Sequence, residues 1–279
     1  MNLQEIRAEA RSIRSQTRGI FLLFTGPTLI SIISYLLALD LNLREIIPAL
    51  SFQQTIVFLA SREIGPRIIQ FILTLLFLSA SFSLMEVVRK KREEVGFSDI
   101  NRIFSKPLFG PIFATMLVKQ LLLLLWNALT LAGLLLTTFN SYKTISIYNR
   151  IPNPSSLTSQ SPEVLEILQY APGMFLGLLL MAAGTAVFIP QAYAYSQTDY
   201  ILYDQLHAGT YKGPFQVLRQ SRRLMKGCKW DRFLLDLSFI GWYILIGLTY
   251  GIAGITVYPY ISAAQVLFYE KIRQEKKLG

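Results

Sequence analysis

Apolar runs of about 17–25 residues, the length at which a helix crosses a bilayer, recur along this chain. A segment surrounded by lipid must satisfy its backbone hydrogen bonds within itself, so such runs dictate helices. Six are expected to span: Ile20–Leu39, Ile68–Val88, Phe109–Phe139, Pro172–Tyr195, Phe233–Tyr250 and Ile252–Tyr269. The expected fold is an all-α polytopic membrane bundle of six transmembrane helices, one integral membrane domain over residues 1–279. Only 16% of the residues are charged, against about a quarter in a soluble domain.

The positions of the cations set the expected threading. All 27 lysines and arginines except Arg44, Arg62, Arg67, Lys143, Arg150 and Lys119 fall on one side if all six runs cross. Lysine and arginine accumulate on the cytoplasmic side of membrane proteins, so both termini are expected inside. A formal charge of +10 would suggest nucleic acid in a soluble protein. Here the cations flank apolar runs, where they meet anionic lipid of the cytoplasmic leaflet, and no nucleic-acid partner is expected. The first residues do not read as a cleavable leader, because their apolar run is too long and shows no small-residue cleavage site.

The stretch SRRLMKGCKWDRFLLDLSFIGW, Ser221–Trp242, passes from cations to an apolar run. At helical spacing Val217, Leu218, Ser221, Leu224 and Met225 share one side, and Arg219, Arg222, Arg223 and Lys226 the other. Such a helix is built to lie in the interface with its apolar face in lipid. Trp230 is expected at headgroup level. Residues 205–232 thus read as a cytoplasmic elbow. Basic amphipathic segments also begin at NLQEIRAEARSIR and FSDINRIFSK, each ahead of a span and a returning span. This pattern is expected either from a three-fold repeat of helix-plus-hairpin units or from any alternation of spans and basic loops.

The segments AYSQTDYILYD, SRRLMKGCKW, LDLSFIGW, LTYGIAG and VYPYISAAQVLFYE resemble domain of unknown function 975, a group of bacterial multi-pass integral membrane proteins. Cys228 departs from that group, whose members often carry histidine there. The resemblance implies a polytopic protein of a bacterial plasma membrane and brings no mechanism.

Within the runs, Asp236, Lys119, Gln120 and Asn127 form a candidate intramembrane polar site, because a charge in a span is costly unless it faces protein, water or a counter-ion. Asp236 is expected either to pair with Lys229 or Arg232 at the boundary, or with Lys119 inside the bundle. Tyr193, Tyr195, Tyr200, Tyr203 and Tyr211 read as belt residues or an aromatic cluster, and Pro259 as a bend. Gly173 with Gly177, and Gly247 with Gly251, have the GxxxG spacing of close helix contacts, within the chain or in a homodimer. His207 is expected in a loop. One cysteine and one histidine leave little material for disulfides, metal ligation or a catalytic triad. GxxxxGK[ST], GxSxG, HExxH and CxxC are missing, so neither an enzyme nor a cofactor is expected. The expected function is a non-enzymatic accessory or scaffold protein of the cell envelope, contacting anionic lipid and a membrane partner. The alternative is a transporter or permease subunit for a small molecule or peptide.

Overall fold

A computed structural model describes residues 2–38, 51–152 and 157–276. The described residues are helical with connecting turns, as the apolar runs require, and contain no strand. The α-helices are α1 Leu3–Gln16, α2 Ile20–Ala38, α3 Phe52–Val88, α4 Lys106–Trp126, α5 Ala128–Tyr148, α6 Pro162–Leu168, α7 Ala171–Ala194, α8 Thr198–His207, α9 Pro214–Leu224, α10 Lys229–Leu237, α11 Ile240–Leu248 and α12 Gly254–Glu275. A 3-10 helix, Phe97–Phe104, precedes α4. Among the described residues three stretches are long and apolar enough to cross a membrane: Gly65–Val88, Lys106–Trp126 and Pro162–His207.

Several boundaries differ from the sequence expectation. The expected span Ile68–Val88 is the end of a longer helix, α3, which begins at Phe52 and runs for 37 residues. The run Phe109–Phe139 is not one span. It belongs to two helices of 21 residues each, separated at Asn127. Asn127 N–H is shared between the Leu123 and Leu124 carbonyls, and asparagine disfavours a helix interior because its side chain competes for backbone groups. The run Phe233–Tyr250 also divides, into α10 and α11. Ser238 at the junction donates its hydroxyl to the Leu235 carbonyl at 2.7 Å, and Phe239 turns inward against Tyr260. His207 ends α8 rather than lying in a loop. Leu39, the end of the first expected span, and residues 40–50 after it lie outside the described residues.

The chain packs as two compact units. The first contains residues 1–39, 66–120 and 192–279. Its centre is α12, where Val257, Tyr260, Ile261, Ala264, Phe268 and Ile272 are all buried. α1 and α2 both pack against α12. Asn2 caps α1 by accepting from the Gln4 and Glu5 N–H groups at 3.1 and 3.3 Å, which satisfies two of the donors a helix start leaves open. Ile6 and Ala10 then turn inward with no exposure.

Between α1 and α2 the chain is pinned. Val95 N–H donates to the Arg18 carbonyl at 3.0 Å. Gly19 follows with φ of +76°, and a Cβ there would strike the Val95 carbonyl oxygen. Only glycine meets both demands.

The second unit contains residues 40–65 and 121–191. Its contact between α5 and α7 is made by small residues. A Cβ on Gly133 would lie 2.6 Å from the Gly177 carbonyl oxygen and 2.7 Å from the Met181 nitrogen. Gly173 faces Asn140, Gly177 faces Thr137, and Gly184 faces Thr130. Phe52, from the start of α3, meets Phe139 edge to face at 5.1 Å.

Candidate functional site

The end of α3 in the first unit carries the acidic and basic residues MEVVRKKREE. Glu86 is buried there, and a buried carboxylate must be paired. Arg102 from the 3-10 helix grips it with two hydrogen bonds of 2.7 and 2.9 Å. Tyr203 of α8 donates to it at 3.1 Å. Arg92 reaches Asp99 at 2.9 Å and Glu86 at 3.5 Å.

Asp99 also accepts from the Gly96 N–H at 2.8 Å. Burial pushes its carboxyl pKa up. The Arg92 hydrogen bond, the Gly96 N–H and the charges of Arg92 and Arg102 outweigh burial and hold it below the ordinary 3.8. The folded state therefore binds this proton less readily than the unfolded chain. The stabilisation is complete above the ordinary value and is lost as pH falls from there through the lower folded pKa. Thermal-unfolding midpoints measured down through that window should fall less steeply for Asp99→Asn than for the parent. Equal slopes would show that Asp99 contributes nothing there.

One turn further, Arg89 bridges two carboxylates. It lies 2.6 Å from Asp204 of α8 and 2.6 Å from Glu270 of α12. Tyr269 donates to the other Asp204 oxygen at 2.6 Å, and Arg273 stands 3.4 Å from Asp204. Burial alone would lower the Arg89 pKa, but the two carboxylates raise it above its ordinary value. The guanidinium is thus a fixed positive charge joining three helices. His207 stacks on Tyr203 with ring centres 3.9 Å apart.

Beside this network lies a cavity of about 770 Å³, bounded by the end of α3, by α8, α9 and the end of α12. Half-buried Asp204 and buried Tyr269 are part of its floor. Exposed Lys91, Lys212 and Arg223 stand at its edge. The size is ordinary for a small-molecule site.

The sequence candidates are arranged differently from expectation. Lys119 pairs with Asp199 at 2.7 Å, and Asp236 pairs with Arg232 one turn away at 3.3 Å. The alternative Lys119–Asp236 pair is not formed. Gln120 is exposed, and Asn127 belongs to the other unit. These four residues are not brought together as a polar site in the first unit.

The apolar face of α9 also differs from expectation. Val217, Leu218, Ser221 and Leu224 are buried in protein rather than presented to lipid. Ser221 donates to the Ala194 carbonyl at 2.8 Å and accepts from the Gln197 N–H. Arg219, Arg222, Arg223 and Lys226 are exposed on the other side. Trp230 is 67% exposed and stacks on Phe233. Tyr195, Tyr200 and Tyr203 are core residues, and Tyr211 meets Thr115 at 3.1 Å; they do not form an open aromatic cluster.

Gly173 and Gly177 sit at close contacts, as described above. Among the described residues Gly247 has no atom within 4 Å of a Cβ position, so it makes no packing contact with them. Gly251 is required by its φ of +93° and faces Ile32. The run RKKREE follows directly on the expected span Ile68–Val88, and it supplies Lys91 and Arg92 together with Arg89, which joins the end of α3 to α8 and α12.

No curated protein and no solved structure matches this chain. A family model described as a protein of unknown function (DUF975) matches residues 1–276, extending the likeness of the last third to nearly the whole length. The chain therefore belongs to that family, the DUF975 proteins of unknown function.

Proposed function

We propose that this is a six-span protein of a bacterial plasma membrane, with both termini in the cytoplasm. It works without catalysis, as an accessory or scaffold protein that holds anionic lipid on its cytoplasmic face. The observation that carries the reading is the exposed cationic side of α9. Its opposite face is fixed to protein, so Arg219, Arg222 and Lys226 are held outward on a rigid support. Trp230 projects beside them in the manner of a headgroup-level tryptophan. The spans supporting the topology are the three long apolar stretches, together with α2, the α10–α11 pair and α12. α11 exposes Ile240, Ile244 and Leu248, an apolar surface suited to lipid or a membrane partner. The transport reading depended on a Lys119 and Asp236 site, and both charges have other partners.

The test is extraction of the full chain in native-lipid discs, with mass spectrometry of the lipid and protein retained. Anionic lipid should be enriched over the bulk membrane, and Arg219→Gln with Arg222→Gln and Lys226→Gln should remove the enrichment. Bulk composition around the parent chain would overturn the reading. In intact cells a membrane-impermeant thiol reagent should leave Cys228 unlabelled until the membrane is opened; labelling beforehand would reverse the proposed orientation.

A further inference from the structure

The cavity beside Arg89 has two features that the fold itself does not use. The first is charge. On its floor, Arg89 and Arg273 are matched by Asp204 and Glu270. At its edge, Lys91, Lys212 and Arg223 have no ion pair among the described residues. Three cations gathered at one concave surface repel each other unless an anion joins them. The second feature is a pair of acceptors. The side-chain oxygens of Gln205 and Gln216, both lining the cavity, are buried without a hydrogen-bond partner. A buried acceptor left unmatched is costly, so a ligand that brings donors gains there.

Anion and donors are needed together. A bare inorganic anion supplies the charge and leaves the glutamine oxygens unmatched. A sugar or polyol supplies hydroxyl donors and leaves the cations unmatched. From these two features we infer that the cavity binds a hydroxyl-bearing phosphate ester, its phosphate at Lys91, Lys212 and Arg223 and its hydroxyls on Gln205 and Gln216. Phosphate takes several cations at once through oxygens spread around one centre. The same chemistry is offered by a glycerophosphate lipid headgroup and by a soluble phosphate ester. The cations invoked differ from Arg219, Arg222 and Lys226, so this site and the proposed lipid-holding surface stand or fall separately.

The experiment uses the full chain in discs of phosphatidylcholine alone, titrated calorimetrically with glycerol 3-phosphate. Saturable binding is expected. Lys91→Gln with Arg223→Gln should weaken it about tenfold or more, since hydrogen bonds to charged groups are worth about 1.5–3 kcal/mol each. Arg219→Gln with Arg222→Gln removes the same charge from outside the cavity and should leave binding unchanged. Gln216→Leu should lower the preference for glycerol 3-phosphate over inorganic phosphate, a readout that general unfolding does not give. Repeating the titration in discs containing phosphatidylglycerol separates the sources. Competition by the lipid identifies a headgroup site, and undiminished binding identifies a soluble ester. Absence of saturable binding together with absence of cavity-dependent retention of phosphatidylglycerol would overturn the inference. Equal losses in the two charge-matched variants would do the same, because they would reduce the effect to diffuse charge.

Discussion

Arg89→Met should lower the unfolding free energy by about 3 kcal/mol, the scale for removing one partner of a buried ion pair. Arg89 is 17% exposed at its side chain, and its partners Asp204 and Glu270 are 22% and 15% exposed. Methionine keeps the packing volume of the stem and deletes the charge. Two carboxylates then face each other, with Arg273 at 3.4 and 3.9 Å and the Tyr269 hydroxyl on Asp204 left to offset them among the described residues. Lys90→Met, at the exposed neighbouring position, serves as the control and should change little. The triple variant Arg89→Met, Asp204→Asn, Glu270→Gln should recover most of the loss, because neutral side chains carry no uncompensated charge into the interior. The measurement is unfolding of the detergent-solubilised chain, followed in parallel for all four proteins. If Arg89→Met and Lys90→Met unfold together, the bridge joining α3, α8 and α12 is not holding them.

In the second unit the largest effect is expected from a single added carbon. Gly133→Ala would place its Cβ 2.6 Å from one backbone atom of α7 and 2.7 Å from another. Backbone cannot rotate aside as a side-chain tip does, so the helices must separate. The expected cost is about 1–3 kcal/mol, typical of overpacking, and in lipid the lost contact cannot be recovered by burying apolar area. Gly247→Ala is the contrast. With open space around it, alanine should leave stability unchanged or raise it by up to about 1 kcal/mol through helix propensity. Thermal-unfolding midpoints of the two variants should therefore move to opposite sides of, or at least unequally from, the parent. Equal shifts would refute the assigned contact.

The contrast between these glycines shows what was legible in the sequence. GxxxG spacing occurs at both places, but spacing does not say whether a second helix faces it. Helix content, the long apolar stretches and the cations at their ends follow from composition and periodicity. The junctions at Asn127 and Ser238 do not: at the first a backbone N–H is shared between two carbonyls, and at the second a hydroxyl bond and an inward-turned ring mark the break, while the surrounding residues stay apolar. The face of α9 illustrates the same gap. Its amphipathic period was readable, but Val217 and Leu224 would show that period whether they met lipid or protein. Hydrogen bonds of Ser221 to Ala194 and Gln197, distant in sequence, decide the matter. Charge partners were the least legible. Arg89, Asp204 and Glu270 are separated by more than a hundred and by sixty-odd residues, and no local pattern links them.

The packing of α1 on α12 has a consequence for the order in which the chain is made. The surface that covers Ile6 and Ala10 is α12, which is made long after α1. Until then the first helix emerges with its apolar stripe unoccupied, while the Arg18–Val95 bond can already close the loop that follows it. A chain stopped before Gly254 would keep that loop but have nothing to lay against the stripe. The cover for α1 is therefore supplied late by a distant part of the same chain, and a chain stopped short of α12 carries the stripe of Ile6 and Ala10 uncovered by that helix.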